Sequence, residues 1–306
     1  MELANLWGSV ADVAGVRLAT ESDAADLVKL LRRATQCHIH SGWYLPVHWL
    51  GQPGFLVYEQ PQRVNSLMKK LWGEDVLLQA CLAATADPAP FAWVQVAAIA
   101  NIEAPLSVLA AMLAQAEETL RQTAVTQLGW MPVNNDWPNY WLAELGFTEV
   151  NRVQTYIRRT MKLPQVKSVP GLHIRPIIPE DIPYLAQIEV AAFTPLWRHS
   201  ISSLAAAMHQ AYSFDVALLH GALVGFQISS CAENVAHLAR LTISPGVQGQ
   251  GVGSALLAHA IQGYERQHLR SVSLNTQIDN VVSQHLYDKF GFVPRNQLLS
   301  IWAKQL

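Results

Sequence analysis

The chain has little charge, few cysteines and no long apolar run. Only 14% of its 306 residues are Asp, Glu, Lys or Arg, where an ordinary soluble domain carries about 25%. The formal charge is -2 and no basic run interrupts the sequence, so it lacks the electrostatic footprint of a nucleic-acid or anionic-membrane binder. No apolar stretch reaches the roughly 18 residues that a membrane span needs. Cys37, Cys81 and Cys231 are far apart, a spacing that forms neither a disulfide framework nor a metal-ligand cluster. Reduced core thiols, no metal and a cytoplasmic location are expected. The opening Met1-Glu2-Leu3-Ala4-Asn5 has no basic stretch followed by an apolar one, so no signal peptide is expected.

Apolar residues, by contrast, make up 51% of the chain, which predicts a core-rich folded protein rather than a disordered one. The length suits two domains of about 150 residues each. The halves also echo each other. Val16-Arg17-Leu18-Ala19-Thr20-Glu21-Ser22-Asp23 opens one, and Ile174-Arg175-Pro176-Ile177-Ile178-Pro179-Glu180-Asp181 opens the other with the same Arg-to-Asp spacing. Each reads as a strand, a turn and a helix whose start is capped by Asp or Ser. Leu27, Leu30 and Leu31 form the apolar stripe of the first helix; Leu185, Ile188 and Ala192 form that of the second. Toward the ends, Trp141 to Phe147 parallels Leu286 to Phe292, each with a helix stopping at a Gly suited to a left-handed cap. Met161 to Gly171, holding Pro164 and Pro170, is the expected linker. A tandem duplication is the natural reading, with domains at 1–160 and 171–306.

Within the second half, 215–219 and 223–229 form a hairpin around His220-Gly221. A strand at 235–243 leads through a glycine-rich turn into a helix over 251–267. A strand at 271–276, a helix at 281–290 and a last strand at 298–303 follow. This order implies an α/β domain with a mixed sheet flanked by helices. The turn reads Pro245-Gly246-Val247-Gln248-Gly249-Gln250-Gly251-Val252-Gly253-Ser254. Glycines permit positive φ and close backbone approach. The following helix start offers unpaired N–H groups to an anion, and a pyrophosphate fits such a nest. A Walker loop would need Gly-Lys-Ser/Thr, and a Rossmann turn would need G-x-G-x-x-G after the first strand. Neither is met.

Gln248, Gly251 and Gly253 instead resemble the Gln/Arg-x-x-Gly-x-Gly/Ala acetyl-CoA loop of the GNAT superfamily. Leu241-Thr242-Ile243-Ser244-Pro245 before it, and Asn280, Ser283, Leu286-Tyr287-Asp288-Lys289 and Gly291-Phe292 after it, are similar to the family's flanking segments. The resemblance covers the second half and implies roles. Backbone groups of Leu241, Thr242 and Ile243 would pair with the pantetheine arm between splayed strands. N–H groups of Gln248, Gly249, Gln250, Gly251, Val252, Gly253 and Ser254 would hold the pyrophosphate of acetyl-CoA. Asn280, with Ser283, would bind the pantetheine side or order the helix start. Tyr287 would protonate the leaving thiolate as an amine attacks the thioester directly, with the oxyanion held by a backbone N–H. The family's ribosomal-protein N-terminal acetylases carry a glutamate five residues before the motif Asn, where Asn275 stands here. Its histone acetylases carry a base eleven residues before the loop Gln, where His237 stands. His237 is expected to share a strand face with Ala239, Leu241 and Ile243 and has a pKa suited to a base acting through water.

The first half departs from this template. Glu103-Ala104-Pro105-Leu106-Ser107-Val108 falls where Gln248 to Gly253 sits, without glycines, and Leu142 stands where Tyr287 does. It is read as a degenerate, non-catalytic GNAT-like domain. It holds eight of the ten tryptophans, among them Trp43, Trp49, Trp72, Trp93, Trp130, Trp137 and Trp141, as core or as an acceptor pocket or interface. The resemblance implies an N-acetyltransferase acting on an amine-bearing small molecule or peptide. A non-catalytic acyl-CoA sensor and a structural scaffold are the alternatives, and the acceptor and oligomeric state stay open.

Overall fold

The computed structural model describes residues 14–40, 42–61, 76–132 and 137–306; Trp72 and the Met1-to-Asn5 opening lie outside them. The chain divides into two compact units, Met1–Glu149 with Trp302–Leu306, and Val150–Ile301. The linker expected at 161–171 is not where this division falls. Met161, Leu163 and Val166 pack on the apolar cluster of the second unit, so the segment is bound to that unit along its length. Arg158 ahead of it is 1% exposed and donates to the Phe290 and Lys162 carbonyls at 2.5 and 2.6 Å.

The first unit carries β1 (Val16–Leu18), α1 (Ala24–Arg33), β2 (Gln36–Ile39), β3 (Phe55–Pro61), β4 (Val76–Ala86), β5 (Phe91–Ile99), α2 (Pro105–Arg121), β6 (Gln127–Trp130) and α3 (Asn139–Leu142). Its sheet runs β1-β3-β4-β5-β6, with β5 and β6 parallel and β2 paired to β5. The last residues of the chain complete it, Trp302 to Gln305 lying antiparallel to β6. Lys304 fixes them there: its Nζ lies 2.6 Å from Glu117 Oε1 and donates to the Leu145 carbonyl at 3.0 Å. Trp93, Trp130 and Trp137 are buried, and Trp141 packs on the main cluster, so these tryptophans are core.

The second unit takes up β7 (Thr148–Arg158) from residue 150 onward, then β8 (Leu172–Pro176), α4 (Ile182–Ala192), α5 (Ile201–Gln210), β9 (Ser213–Leu219), β10 (Ala222–Ala232), β11 (Val235–Ile243), α6 (Val252–Arg266), β12 (Ser271–Gln277), α7 (Val281–Lys289) and most of β13 (Val293–Gln305). Its sheet order is β13-β7-β12-β11-β10-β9-β8, with β11 and β12 parallel and the pairs β12·β7, β10·β11, β10·β9 and β8·β9 antiparallel. Each unit is therefore the expected mixed, mostly antiparallel sheet flanked by helices.

The repeated sequence signatures have matching geometry. Arg17 and Arg175 each clasp the Asp six residues on, Asp23 and Asp181, through two bonds of 2.7 and 2.8 Å. The same Asp accepts from the backbone N–H three residues earlier, at Thr20 or Ile178. This tightens the turn; neither Asp side chain caps the α-helix that follows, as had been expected. Gly146 and Gly291 both adopt positive φ, +85° and +76°. Phe147 N then reaches Leu142 O at 2.9 Å, and Phe292 N reaches Tyr287 O at 3.0 Å, a closure that favours glycine.

Candidate active site

β11 is paired with β10 along its whole length but with β12 only from Val235 to Leu238. Beyond the Leu238–Leu274 rung the two parallel strands part. The antiparallel ladder fixes which backbone groups face the gap. Ser244 N donates to Val224 O at 2.8 Å, so by alternation Thr242 also turns its backbone to β10. Leu241 and Ile243 face the gap. Of the three residues expected to offer backbone groups there, two are placed to do so.

A bulge sets the side chains. Ser229 opposes Leu238 while Ile228 opposes Arg240, which leaves Ala239 as an extra residue and switches the facing pattern. Leu238 joins the cluster of α6 and α7, and so does Leu241 three residues on; Arg240 and Thr242 bond to Glu189 of α4. His237 therefore does not share a face with Leu241 and Ile243, contrary to the plain alternation of the sequence. It lies on the opposite face, with Nδ1 3.0 Å from Ser273 Oγ of β12. Burial holds its pKa below 6.5, which keeps the ring neutral at pH 7. Asn275 lies two residues beyond Ser273 on β12 and is exposed.

The glycine-rich turn follows at once. Pro245–Val247 forms one tight turn, and Gln248 Nε2 ties back to the Ile243 carbonyl at 3.0 Å. Gln250 Nε2 reaches the Gly246 carbonyl at 3.3 Å. Gly249 and Gly251 take φ of +76° and +91°, and Gly251 is the N-cap of α6. No side chain caps that helix, and no acid stands in its first turn. The N–H groups of Val252, Gly253 and Ser254 thus point outward at a positive dipole end. A Cβ on Gly253 would stand 3.4 Å from Ile243 Cγ1, so the helix start sits close against the end of β11.

Tyr287 of α7 is 6% exposed. It shares an apolar cluster with Leu238 and Leu274, the last paired rung, and its ring stands edge-on to Phe292 at 5.7 Å. Burial pushes its pKa up to about 12, against a smaller opposing pull from Arg240, so the phenol stays protonated at neutral pH. Asn280 is the N-cap of α7 and accepts from Ser283 N at 3.1 Å. Of its two expected roles, ordering the helix start is the one the geometry displays.

The sequence reading missed the most connected polar group of the unit. Glu189 of α4 is fully buried and takes Arg240 Nε at 3.0 Å together with Arg240 Nη2. It also takes Thr242 Oγ1 at 2.9 Å and His199 N at 3.0 Å. Arg240 further donates to the Trp197 carbonyl at 2.6 Å and lies 3.7 Å over the Phe193 ring. The 193–199 segment is thereby clamped to β11 where the strands part. One acid in an otherwise apolar helix and one base in an apolar strand were the available signals. A separate pocket of about 610 Å³ between α4 and the β9–β10 hairpin has Tyr184, Ile188, Leu223 and Ser244 in its wall, and neither Tyr287 nor His237.

Residues 182–292 match the family model described as the acetyltransferase (GNAT) family. A 116-residue stretch is 28% identical to the putative ribosomal protein bS18-alanine N-acetyltransferase of Bacillus subtilis (strain 168), covering 38% of this chain and 76% of that protein. Among solved structures, a tandem GNAT protein from the clavulanic acid biosynthesis pathway aligns over 95% of this chain and 98% of its own, at 16% identity and a TM-score of 0.59. A probable N-acyltransferase from Enterococcus faecalis V583 aligns over 95% of this chain and 71% of its own, at 12% identity and a TM-score of 0.63. At such identities these two likenesses speak for the fold alone. Residues 182–292 therefore resemble the acetyltransferase (GNAT) family, in a chain that folds as tandem GNAT proteins do.

Proposed function

We propose that the second unit transfers an acetyl group from acetyl-CoA to a primary amine by direct attack on the thioester. The observation that carries this is the gap between β11 and β12, with the Leu241 and Ile243 backbone along one edge and the uncapped α6 start at its end. An extended pantetheine arm pairs with such an edge as a strand would, and its pyrophosphate meets the helix N-terminus.

In this reading the amine nitrogen bonds to the acetyl carbon and the C–S bond breaks. The thiolate takes its proton from Tyr287 Oη, which its raised pKa keeps loaded. His237, neutral at pH 7, takes the amine proton through a water. Because direct attack needs no acyl-enzyme, the exposed Cys231 has no part in it. Asn275 stands where ribosomal-protein acetylases of the family have a glutamate, so bS18 is not carried over as the acceptor. Titration with acetyl-CoA, followed by thiol release against a panel of amines, tests the proposal. Saturable binding with amine-dependent thiol release supports it; binding without release under any amine leaves an acyl-CoA sensor instead.

A further inference from the structure

The two bulges align the units. On β5 Ala83 opposes Val96 and Ala84 opposes Val94, which leaves Gln95 as the extra residue, as Ala239 is on β11. Each bulge lies just past a short parallel ladder, to β6 or to β12. Setting Gln95 on Ala239 places Ala97, Ala98 and Ile99 on Leu241, Thr242 and Ile243. In the second unit that edge borders the gap. In the first it is paired: β2 lies antiparallel to it from Gln36–Ile99 to Ile39–Val96. His40 N donates to Gln95 O at 2.8 Å and Thr35 N to Ile99 O at 3.0 Å.

We propose that β2 is a built-in occupant of the acyl-donor slot of the first unit, so that the chain binds one acyl-CoA, in the second unit. The second clause rests on the donor-site reading given above.

Burial separates the two edges. Every residue of β5 is buried, with Ala97 and Ala98 at 0% exposure, while Arg240, Leu241 and Ile243 are half-buried. Backbone groups shut away from water need partners, and β2 supplies them. Side chains hold it in place. His38 is 1% exposed, its Nε2 is 3.2 Å from the Val94 carbonyl, and its ring centre is 5.5 Å from that of Trp130. Cys37 packs on the cluster of Leu27, Phe55 and Val96. The matching segment after α4 cannot do the same: Pro195 has no N–H to donate, and Trp197 is held by Arg240. The phosphate end has closed as well. Residues 100–104 lead from β5 into α2 without a glycine, where 244–251 separate β11 from α6.

The test combines acetyl-CoA stoichiometry on the whole chain and on Gly251→Trp with hydrogen exchange. One site in the wild type and none in the variant are expected. The amides of Gln36, His38 and His40, which the register turns toward β5, should exchange at least about 10³-fold slower than an unstructured chain, as buried strands do, with or without saturating acetyl-CoA. Two sites per chain, a site that survives in Gly251→Trp, or protection at these amides lost on adding acetyl-CoA would overturn the proposal. Fast exchange at these amides without ligand overturns the filled slot alone. No site in the wild type, with slow exchange intact, overturns the donor reading of the second unit and the stoichiometry with it.

Discussion

Replacing Glu189 by leucine removes the anion that holds the 193–199 segment to β11. The carboxylate is fully buried and accepts from Arg240, Thr242 and His199. Leucine fills a similar volume, so little packing is lost. What is left is a guanidinium only 11% exposed, still bonded to the Trp197 carbonyl but without a counter-charge. Breaking a buried pair from one side costs about 3–5 kcal/mol. At about 2–4 °C per kcal/mol for a unit of this size, its melting temperature should fall on the order of 10 °C. The double variant Glu189→Leu/Arg240→Met removes both charges and should regain most of that loss, because well-packed apolar replacements of buried pairs are often neutral. The pH dependence has a definite sign. Burial pushes the Glu189 pKa up, but Arg240 and the hydrogen bonds outweigh it and hold it below 4.5. A carboxyl depressed in the folded state contributes fully above its unfolded value and loses that contribution as pH falls through the folded one. The stability of the wild type relative to the double variant should therefore fall below pH 4.5. Calorimetric melts of the three proteins at pH 7 and below pH 4.5 measure this. A single variant melting within about 2 °C of the wild type, the size of a neutral surface change, would refute the clamp.

Further expectations concern the chemistry and the first unit. Tyr287→Phe should lower turnover about 10²-fold or more with acetyl-CoA affinity unchanged; full activity would remove the acid role. A histidine base must be neutral, so turnover should fall on an acidic limb lying below pH 6.5, and the limb should vanish in His237→Ala. An unaltered profile would dismiss His237. Gly253→Val crowds Ile243 and the α6 start and should weaken acetyl-CoA binding at least about tenfold, as a calorimetric titration would show. Burial lowers the pKa of His38 to about 3 and of His40 to about 4. The unfolded chain then takes up protons first as pH drops below 6.5, and the first unit should melt progressively lower between pH 7 and 5; a flat profile would count against this account of the two imidazoles.

Much of the second unit could be read from local spacing. The strand at 235–243 ends where expected, and the helices at 252–266 and 281–289 fall within a residue of their expected bounds. Glycine caps and Pro-Gly turns act through their own φ, which neighbours in sequence determine. The Arg-to-Asp echo at 17–23 and 175–181 was equally legible because both partners lie on one turn. The offset carried from Gly146 back to residue 103 was not. α2 begins at Pro105 and α6 at Val252, so Ala104 rather than Leu106 stands at the position of the Gly251 cap, and the intervening loop is shorter than the template assumed.

Local spacing carries the element order from β9 to β13, the phosphate-ready turn and the loss of that turn from the first half, since each depends on residues a few positions apart. Long-range pairing sets the face of His237, the Glu189–Arg240 clamp, the insertion of β2 beside β5 and the placing of 302–305 beside β6. These depend on strand register and on partners 50 or more residues away. One bulged residue at Ala239 reverses every side chain that follows it, because strand faces alternate with a period of two, and no local pattern in Val235 to Ile243 records it.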